Sequence, residues 1–443
     1  MGLFDKFKKK ARPRAVVVGL DGVPYTLLQD LKNRGRIGNM ASIFDGGYFG
    51  QMSVCIPEIS SVSWSSFMTG TQSGEHGIFG FMDLKPGTYK MYFPNFTHLK
   101  AITLWDELGA QGKKSVIINM PATYPARELN GVLISGFVAI DISKAVYPSS
   151  LIPHLNEINY RIDLNTAKAR EDHEFLFLDL DETLAGRERA VELLWKKIDW
   201  DLFIVVITGT DRLMHFLWEA YEDNNHSCHQ DFLDYFDKVD RLVGKVYDRF
   251  VALDGSRTEL NQFYMLSDHG FTMIKTEVYL NRWLEENGYL KFQKDQPESV
   301  MDIGSGTSAF AMDPSRIYIN VKGKYPLGKV DLSDYERVRQ ELKHGLENLS
   351  FENGQKVARK IFFKEELYKG PYLDRAPDLV LLSNSGYDLK GRVNSNAVFG
   401  RSNLVGMHSQ DDAFFFNSNG VQCKTIFDAK GIILDSYNSE QRG

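Results

Sequence analysis

The residues able to carry chemistry sit in short, glycine-punctuated stretches. They are Asp21 in GLDG, Ser60 in PEISSVSWSSFMTG, Asp211 and His215 in GTDRLMH, Asp268 and His269 in SDHGF, and His408 in GMHSQDD. Three carboxylates, three imidazoles and a hydroxyl form a donor set suited to zinc and its neighbours. Six ligands suffice for two cations with three each, leaving positions open for substrate and nucleophile. Asp211 and His215 are four apart, so a helix starting there presents both on one face. Asp268 and His269 are adjacent, which fits an irregular turn after a strand, with Gly270 allowing a sharp bend. Ser60 and Ser61 precede WSSFMTG, a segment able to start a helix whose free N–H groups would receive an anion. A serine hydroxyl is a poor nucleophile at neutral pH, and a cation bound to it lowers its pKa. Two cations ~4 Å apart would stabilise the attacking and leaving oxygens of a phosphoryl transfer together.

The elements that must position these groups are those of an α/β fold: β-branched strands separated by helical patterns. AVVVGL (15–20) reads as a strand buried on both faces, followed by SVIIN (115–119), DLFIVVI (201–207), FYMLS (263–267), DLVLL (378–382) and AFFF (413–416). Amphipathic helices lie between them, one over Leu184–Ile198. Three strands run into Asp21, Asp211 and Asp268. In open parallel sheets, ligands bind beyond the carboxyl ends of strands, so these carboxylates point to one shared site. Residues 1–12 read as a basic tail and 13–275 as the core. Residues 276–400 read as an insertion that covers the site and shapes substrate choice, with 140–195 supplying a second piece of cover. Residues 401–443 return to the core carrying His408.

Composition bounds the function. The 443 residues carry a formal net charge of -6, which gives no reason to expect a nucleic-acid polymer as partner. Any anion must be held by a local device such as metal ions. Cys55, Cys228 and Cys423 are odd in number and show no CxxC spacing. That fits a reducing compartment, and we expect a cytoplasmic protein. No apolar run is long enough to span a membrane. MGLFDKFKKKARPR lacks the apolar stretch of a secretory signal. Its Leu3, Phe4 and Phe7 beside lysines could form a membrane-surface helix, but a solubilising tail is the simpler reading. The sequence leaves the oligomeric state open.

Several conspicuous residues read as structural. His226, Cys228 and His229 in NNHSCHQ find no second ligand cluster, so they read as a solvated loop. Gly304-Ser305-Gly306 lacks the lysine and helix of a phosphate loop and reads as a turn, one that could serve as a mobile lid. FLFLDLDETL (175–184) imitates the first motif of haloacid-dehalogenase phosphatases, with Asp179 as nucleophile and Asp181 as acid. It runs directly into a helix and leaves no room for the flap those enzymes need. Its acidic residues at a helix start, Glu182 among them, are simple dipole partners.

These segments together resemble the type I phosphodiesterase/nucleotide pyrophosphatase family of the alkaline phosphatase superfamily. The resemblance spans about Ala15 to Asp428 and includes GLDG, the P-x-x-S segment ending in FMTG, GEHGIFGF, NMPATYP, NGVLISGF, GTDR…H, SDHGF, RIYINVKG, KGPYLDRAPDLVLL and GMHSQDDAF. It implies an alkaline phosphatase-like three-layer sandwich with a mostly parallel sheet and a cap-like insertion. It implies Ser60 as nucleophile, where many relatives have Thr; alignment alone prefers it to Ser61. Asp211, His215 and His408 match one metal site. Asp21, Asp268 and His269 match the other, joined by the Ser60 oxygen. The implied cofactors are two divalent metal ions, zinc first, with manganese or iron tolerated. The implied reaction is in-line hydrolysis of a small-molecule phosphodiester or nucleotide pyrophosphate through a covalent phosphoserine. His76 belongs to GEHGI and reads as packing behind Ser60. The phosphate-binding Asn of nucleotide pyrophosphatases falls at Phe81, and Gly80 stands where many relatives have Asp. With no Arg or Lys beside Ser60, diesters are favoured over monoesters, although Arg212 could point inward. A phosphomonoesterase and a catalytically silent scaffold on the same fold are the alternatives. The cysteine motif of sulfatases is missing.

Overall fold

Alternation along a strand sends neighbouring side chains to opposite faces, and the strand Ala15–Leu20 uses this to build two cores at once. Val16, Val18 and Leu20 enter one apolar cluster, Ala15 and Val17 the other. The computed structural model describes residues 12–253, 261–352 and 354–438; the basic tail, apart from Arg12, lies outside them. An eight-stranded sheet runs Tyr48–Met52, Ala413–Asn417, Gln262–Leu266, Ala15–Leu20, Leu202–Ile207, Ser115–Met120, Gly131–Ser135, Val146–Tyr147. The five strands from Gln262–Leu266 to Gly131–Ser135 are parallel. The flanking strands Ala413–Asn417, Tyr48–Met52 and Val146–Tyr147 pair antiparallel.

Helices cover both faces, completing three layers. On one face lie His173–Lys197, Gly209–Glu222 and His229–Val251, through residues such as Leu180, Leu213 and Phe236. On the other lie Ser60–Thr69, Leu104–Ala110 and Ala429–Asn438, through Trp64, Phe67, Leu108 and Ile433. The α/β sandwich expected from the sequence is the fold observed. No helix among the described residues is long and apolar enough to cross a membrane.

Two sequence expectations differ in detail. The helix expected from Leu184 begins at His173, because Leu176, Leu180 and Leu184 already recur at helical spacing and Asp172 caps the start by accepting from the Phe175 N–H. Asp179 and Asp181 are therefore mid-helix residues, not helix-start dipole partners. Asp179 pairs with Arg161 and accepts from the Asn165 N–H at 2.7 Å; Asp181 pairs with Lys238 at 2.5 Å. Residues 140–195, expected as cover, place Leu155, Tyr160, Leu176 and Leu184 in the same apolar cluster as the main sheet.

Within 276–400, the strands Ala309–Met312, Arg316–Ile319, Leu379–Ser383 and Ala358–Phe363 form a separate antiparallel sheet in that order. The helix Tyr335–Asn348 packs on it through Val338, Leu342 and Leu346, and a core including Phe310, Ile317 and Leu381 fills the space between. Gly304-Ser305-Gly306 is a turn, with Gly306 at φ +93°.

Candidate active site

Register brings the carboxylates together. Leu20 lies opposite Ile207, and Gly19 opposite Leu266. Asp21 and Asp268 therefore leave the sheet at one edge, and the helix Gly209–Glu222 opens there with Asp211 in its first turn. Gly22 follows in a left-handed turn at φ +73°, and its N–H donates to Asp268 Oδ1 at 3.0 Å. Thr210 Oγ1 donates to the Asp21 carbonyl at 2.6 Å. The strand Gly406–Ser409 pairs antiparallel with Gly270–Met273 and sets His408 opposite Phe271, beside His269. Gly270 is extended in that strand and does not make the sharp bend expected of it. It is constrained by space: a Cβ there would lie 2.5 Å from Ser409 Oγ.

The helix Ser60–Thr69 places Ser60 at its first position. One turn on, Trp64 lies over Gly19, where a Cβ would meet its ring at 2.6 Å, and its Nε1–H donates to Asp21 Oδ2 at 3.2 Å. Ser60 Oγ consequently lies 3.1 Å from His269 Nε2. Sequence reasoning missed Trp64 as a positioning group, because an indole reads as core until its N–H is seen to face a carboxylate. Behind the helix, His76 Nδ1 accepts the Ile78 N–H at 3.2 Å, so its Nε2–H donates to Ser66 Oγ at 3.1 Å.

All seven expected residues meet in this space. His215 Nε2 is 3.4 Å from Asp211 Oδ1 and 3.0 Å from His408 Nε2; His408 Nε2 is 3.3 Å from Asp211 Oδ1. His269 Nε2 stands 3.4 Å from Asp268 Oδ2 and 3.7 Å from Asp21 Oδ1. Among the described residues, two groups have ligand atoms within 4.8 Å of one another: Asp211, His269 and His408, and Asp21, Asp268 and His269. The clusters are thus continuous, sharing His269, with His215 closing the first.

The donor set fits cations. Each imidazole lies with Nδ1 on a backbone carbonyl: His215 on Gly406 (2.9 Å), His269 on Gly270 (3.0 Å), His408 on Glu58 (2.8 Å). With Nδ1–H donating there, every Nε2 lone pair turns inward, the arrangement of a metal-ligating histidine. Asp21 Oδ1, Asp211 Oδ1 and Asp268 Oδ2 are buried without a hydrogen-bond partner, an arrangement that is costly unless a cation receives them. The electrostatics register the same crowding. Burial, then Asp268 and Asp211, drive the Asp21 carboxyl well above the usual range. Burial and the Asp211 charge push Asp268 up to about 7. Burial would raise Asp211 too, but His215, His408 and Arg212 hold it far below. Burial lowers His215 to about 4 and His269 well below its ordinary value; at His408 it is outweighed by Asp211, and the imidazole is raised.

The remaining candidates fall elsewhere. Arg212 donates to Asp211 Oδ2 at 2.9 Å and Asp163 Oδ2 at 2.7 Å, with its guanidinium 4.2 Å from the Phe137 ring centroid. Phe81 stacks on the same Phe137 ring, with centroids 5.6 Å apart. His226 accepts the Cys228 N–H at 3.1 Å and His229 lies on the Ala220 carbonyl at 2.7 Å, a local turn rather than a ligand cluster.

The chain is similar to known proteins in sequence pattern and in fold. The sequence model of the family described as type I phosphodiesterase / nucleotide pyrophosphatase matches residues 15–411. No curated protein matches by sequence. Among solved structures, phosphonoacetate hydrolase from Sinorhizobium meliloti in complex with phosphonoacetate superposes with TM-score 0.65 at 14% identity, covering 96% of each chain. Alkaline phosphatase PafA gives 0.61 at 13%, covering 97% of this chain and 96% of the other. Murine ectonucleotide pyrophosphatase/phosphodiesterase 5 in complex with AMP gives 0.57 at 13%, covering 96% and 95%. At such identities the likeness is one of fold.

Proposed function

The chain belongs to the type I phosphodiesterase/nucleotide pyrophosphatase family, a phosphoester-cleaving branch of the alkaline phosphatase superfamily, and from that premise we propose that it hydrolyses phosphodiesters by way of a phosphoserine at Ser60. Asp21, Asp268 and His269 would hold one divalent cation and Asp211, His215 and His408 a second, zinc being the metal best suited to this mixed set. Bound there, the cations would supply charge neutralisation and make the serine hydroxyl acidic.

The observation that carries this reading is the Ser60 hydroxyl at 3.1 Å from His269 Nε2, at the first position of its helix. The helix start offers unpaired N–H groups to phosphate oxygens. Trp64 and the Nδ1 hydrogen bonds fix the orientation of Asp21 and the imidazoles, so little reorganises during reaction. In the first step the Ser60 Oγ–phosphorus bond forms, its proton passes to solvent, and the phosphorus–oxygen bond to the departing alcohol breaks. The alcohol leaves with a proton from water. A water molecule then displaces Ser60, giving a phosphate monoester and the free hydroxyl. Arg212 supports diesters over monoesters: its guanidinium is engaged by Asp163 and Asp211 and stacked on Phe137, so it is not free to grip a terminal phosphate.

The test compares bis-p-nitrophenyl phosphate, p-nitrophenyl phosphate and phosphonoacetate as substrates, alongside metal analysis of the purified protein. Diester turnover that disappears in Ser60→Ala, with about two bound ions retained, is expected. Preferred monoester or phosphonoacetate cleavage, or turnover that survives Ser60→Ala, overturns the reading.

A further inference from the structure

A cleft of about 230 Å³ opens beside the proposed reaction centre, between the site and the 276–400 segment. His215, His408 and Glu58 border it on one side; Asp313, Ser315 and Asp388 with Lys390 border it on the other. Ser60 does not line it, and the hydroxyl faces His269 instead. In an in-line displacement the departing group lies opposite the nucleophile, which is the His215/His408 side and hence the cleft.

The cleft walls carry specific chemistry. Ser315 is 4% exposed and its hydroxyl has no hydrogen-bond partner among the described residues. A buried hydroxyl without a partner at a cavity wall is an open position for a ligand's polar group. The cleft's one ammonium, Lys390 Nζ, is engaged by Asp388 Oδ2 at 2.6 Å, so beyond the inward-facing metal-site histidines no side chain among the described residues there offers a free positive charge to an anionic arm. Asp313 remains, with Ile59, Leu381 and Met407 supplying apolar wall.

We propose, resting on the phosphodiesterase reading, that this cleft seats the departing alcohol of the substrate and selects one bearing an ammonium group over one bearing an anion. The alcohol's short carbon chain lies on the apolar wall, its ammonium meets Asp313, and the Ser315 hydroxyl takes a polar contact along the arm. A nucleotide's further phosphate or a carboxylate would meet a carboxylate of its own sign at Asp313.

Three methyl phosphodiesters differing only in the other arm, aminoethyl, methoxyethyl or carboxyethyl, test this on the metal-loaded full chain. Asp313→Asn removes the charge while its Oδ1 keeps the Gly391 N–H acceptor role. The inference expects Asp313→Asn to lower the ratio of kcat/KM for the aminoethyl ester to that for the methoxyethyl ester by about fivefold, the factor one charge contact is worth in a wet cleft. Calorimetry on the Ser60→Ala protein adds a binding readout: phosphorylethanolamine should bind more tightly than phosphoglycolate, and Asp313→Asn should erase the difference. Equal effects on all three esters, or tighter binding of phosphoglycolate, sink the cleft assignment. Bis-p-nitrophenyl phosphate serves as the internal control. If it is turned over while these signatures fail, the cleft inference falls alone; if no diester is cleaved, the phosphodiesterase reading falls and takes this one with it.

Discussion

Ser60 Oγ and His269 Nε2 lie 3.1 Å apart across 209 residues of sequence, and what holds them there is a tryptophan over a glycine. Trp64 reaches Asp21 because Gly19 has no Cβ, and an ideal Cβ there would fall 2.6 Å from the ring. Gly19→Ala should therefore push the Ser60 helix off the sheet. Overpacking of this kind costs about 1–3 kcal/mol of stability. Misplacing a reacting group by ~1 Å costs about a hundredfold in rate. The expected signature is a kcat loss far larger than the stability loss, with metal content unchanged, read by steady-state kinetics against urea unfolding. A variant with wild-type kcat would show that the Trp64 contact does not position the nucleophile.

The carboxylate cluster makes a prediction of opposite sign for stability and for metal binding. Asp268 is fully buried and repelled by Asp211. In chelator-treated protein, Asp268→Asn removes that repulsion, and its Oδ1 can still accept the Gly22 N–H. The melting temperature of the metal-free form should rise by about 2–4 °C, while the gain in melting temperature on adding zinc should shrink because one ligand is weakened. If metal-free wild type and variant melt together, the cluster is not the electrostatic liability described.

How much of this was legible in the sequence follows from locality. Strand ends delivering Asp21, Asp211 and Asp268 were readable, because β-branched runs ending in a carboxylate are local patterns. The Asp211–His215 face was readable for the same reason. Gly19 and Trp64 were not, since a missing Cβ matters only once another element packs on it. Gly270 was misjudged in the same way: its constraint is Ser409 Oγ on a strand that joins only in three dimensions. The helix start at His173 was hidden by acidic residues that looked like a motif, although Leu176, Leu180 and Leu184 carried the periodicity. Asp388 and Lys390 carry no local signal in the sequence, and only folding sets them on the same cleft as His215 and His408.

His76 predicts a pH dependence independent of any metal. It is fully buried, and burial lowers its pKa to about 3. Below its ordinary value of 6.5 the unfolded chain binds a proton there that the folded chain refuses, so stability is present above that pH and is lost as pH falls. The slope is about 1.4 kcal/mol per pH unit until the folded value is reached. His76→Gln retains an amide for Ser66 and lacks the titration. Urea unfolding at pH 7 and pH 5 should show wild type losing more stability than this variant; equal losses would mean His76 does not bear the acid sensitivity.

Arg316 and Asp83 form a buried ion pair that ties the small sheet to the short strand Asp83–Leu84. Arg316 is 0% exposed; its Nη1 donates to Asp83 Oδ1 at 2.7 Å, and its Nη2 to the Met82 carbonyl at 2.7 Å. Its Nε donates to the Asp313 carbonyl at 3.1 Å, so the same guanidinium holds the strand entry that carries Asp313 and Ser315 into the cleft. Gly80 exists because the guanidinium occupies its Cβ position, at 2.3 Å. Asp83→Ala leaves a buried charge without its partner and should cost about 3–5 kcal/mol. The double variant Asp83→Ala with Arg316→Met removes both charges and should recover a large part of that loss, since replacing a whole buried pair by apolar atoms is often nearly neutral. Recovery of stability without recovery of turnover on the aminoethyl ester would separate the pair's structural contribution from its positioning of the cleft. If the double variant is no more stable than Asp83→Ala, the loss came from the Phe79 N–H that Asp83 also accepts at 3.1 Å, and the ion pair is not what joins the small sheet to the Asp83–Leu84 strand.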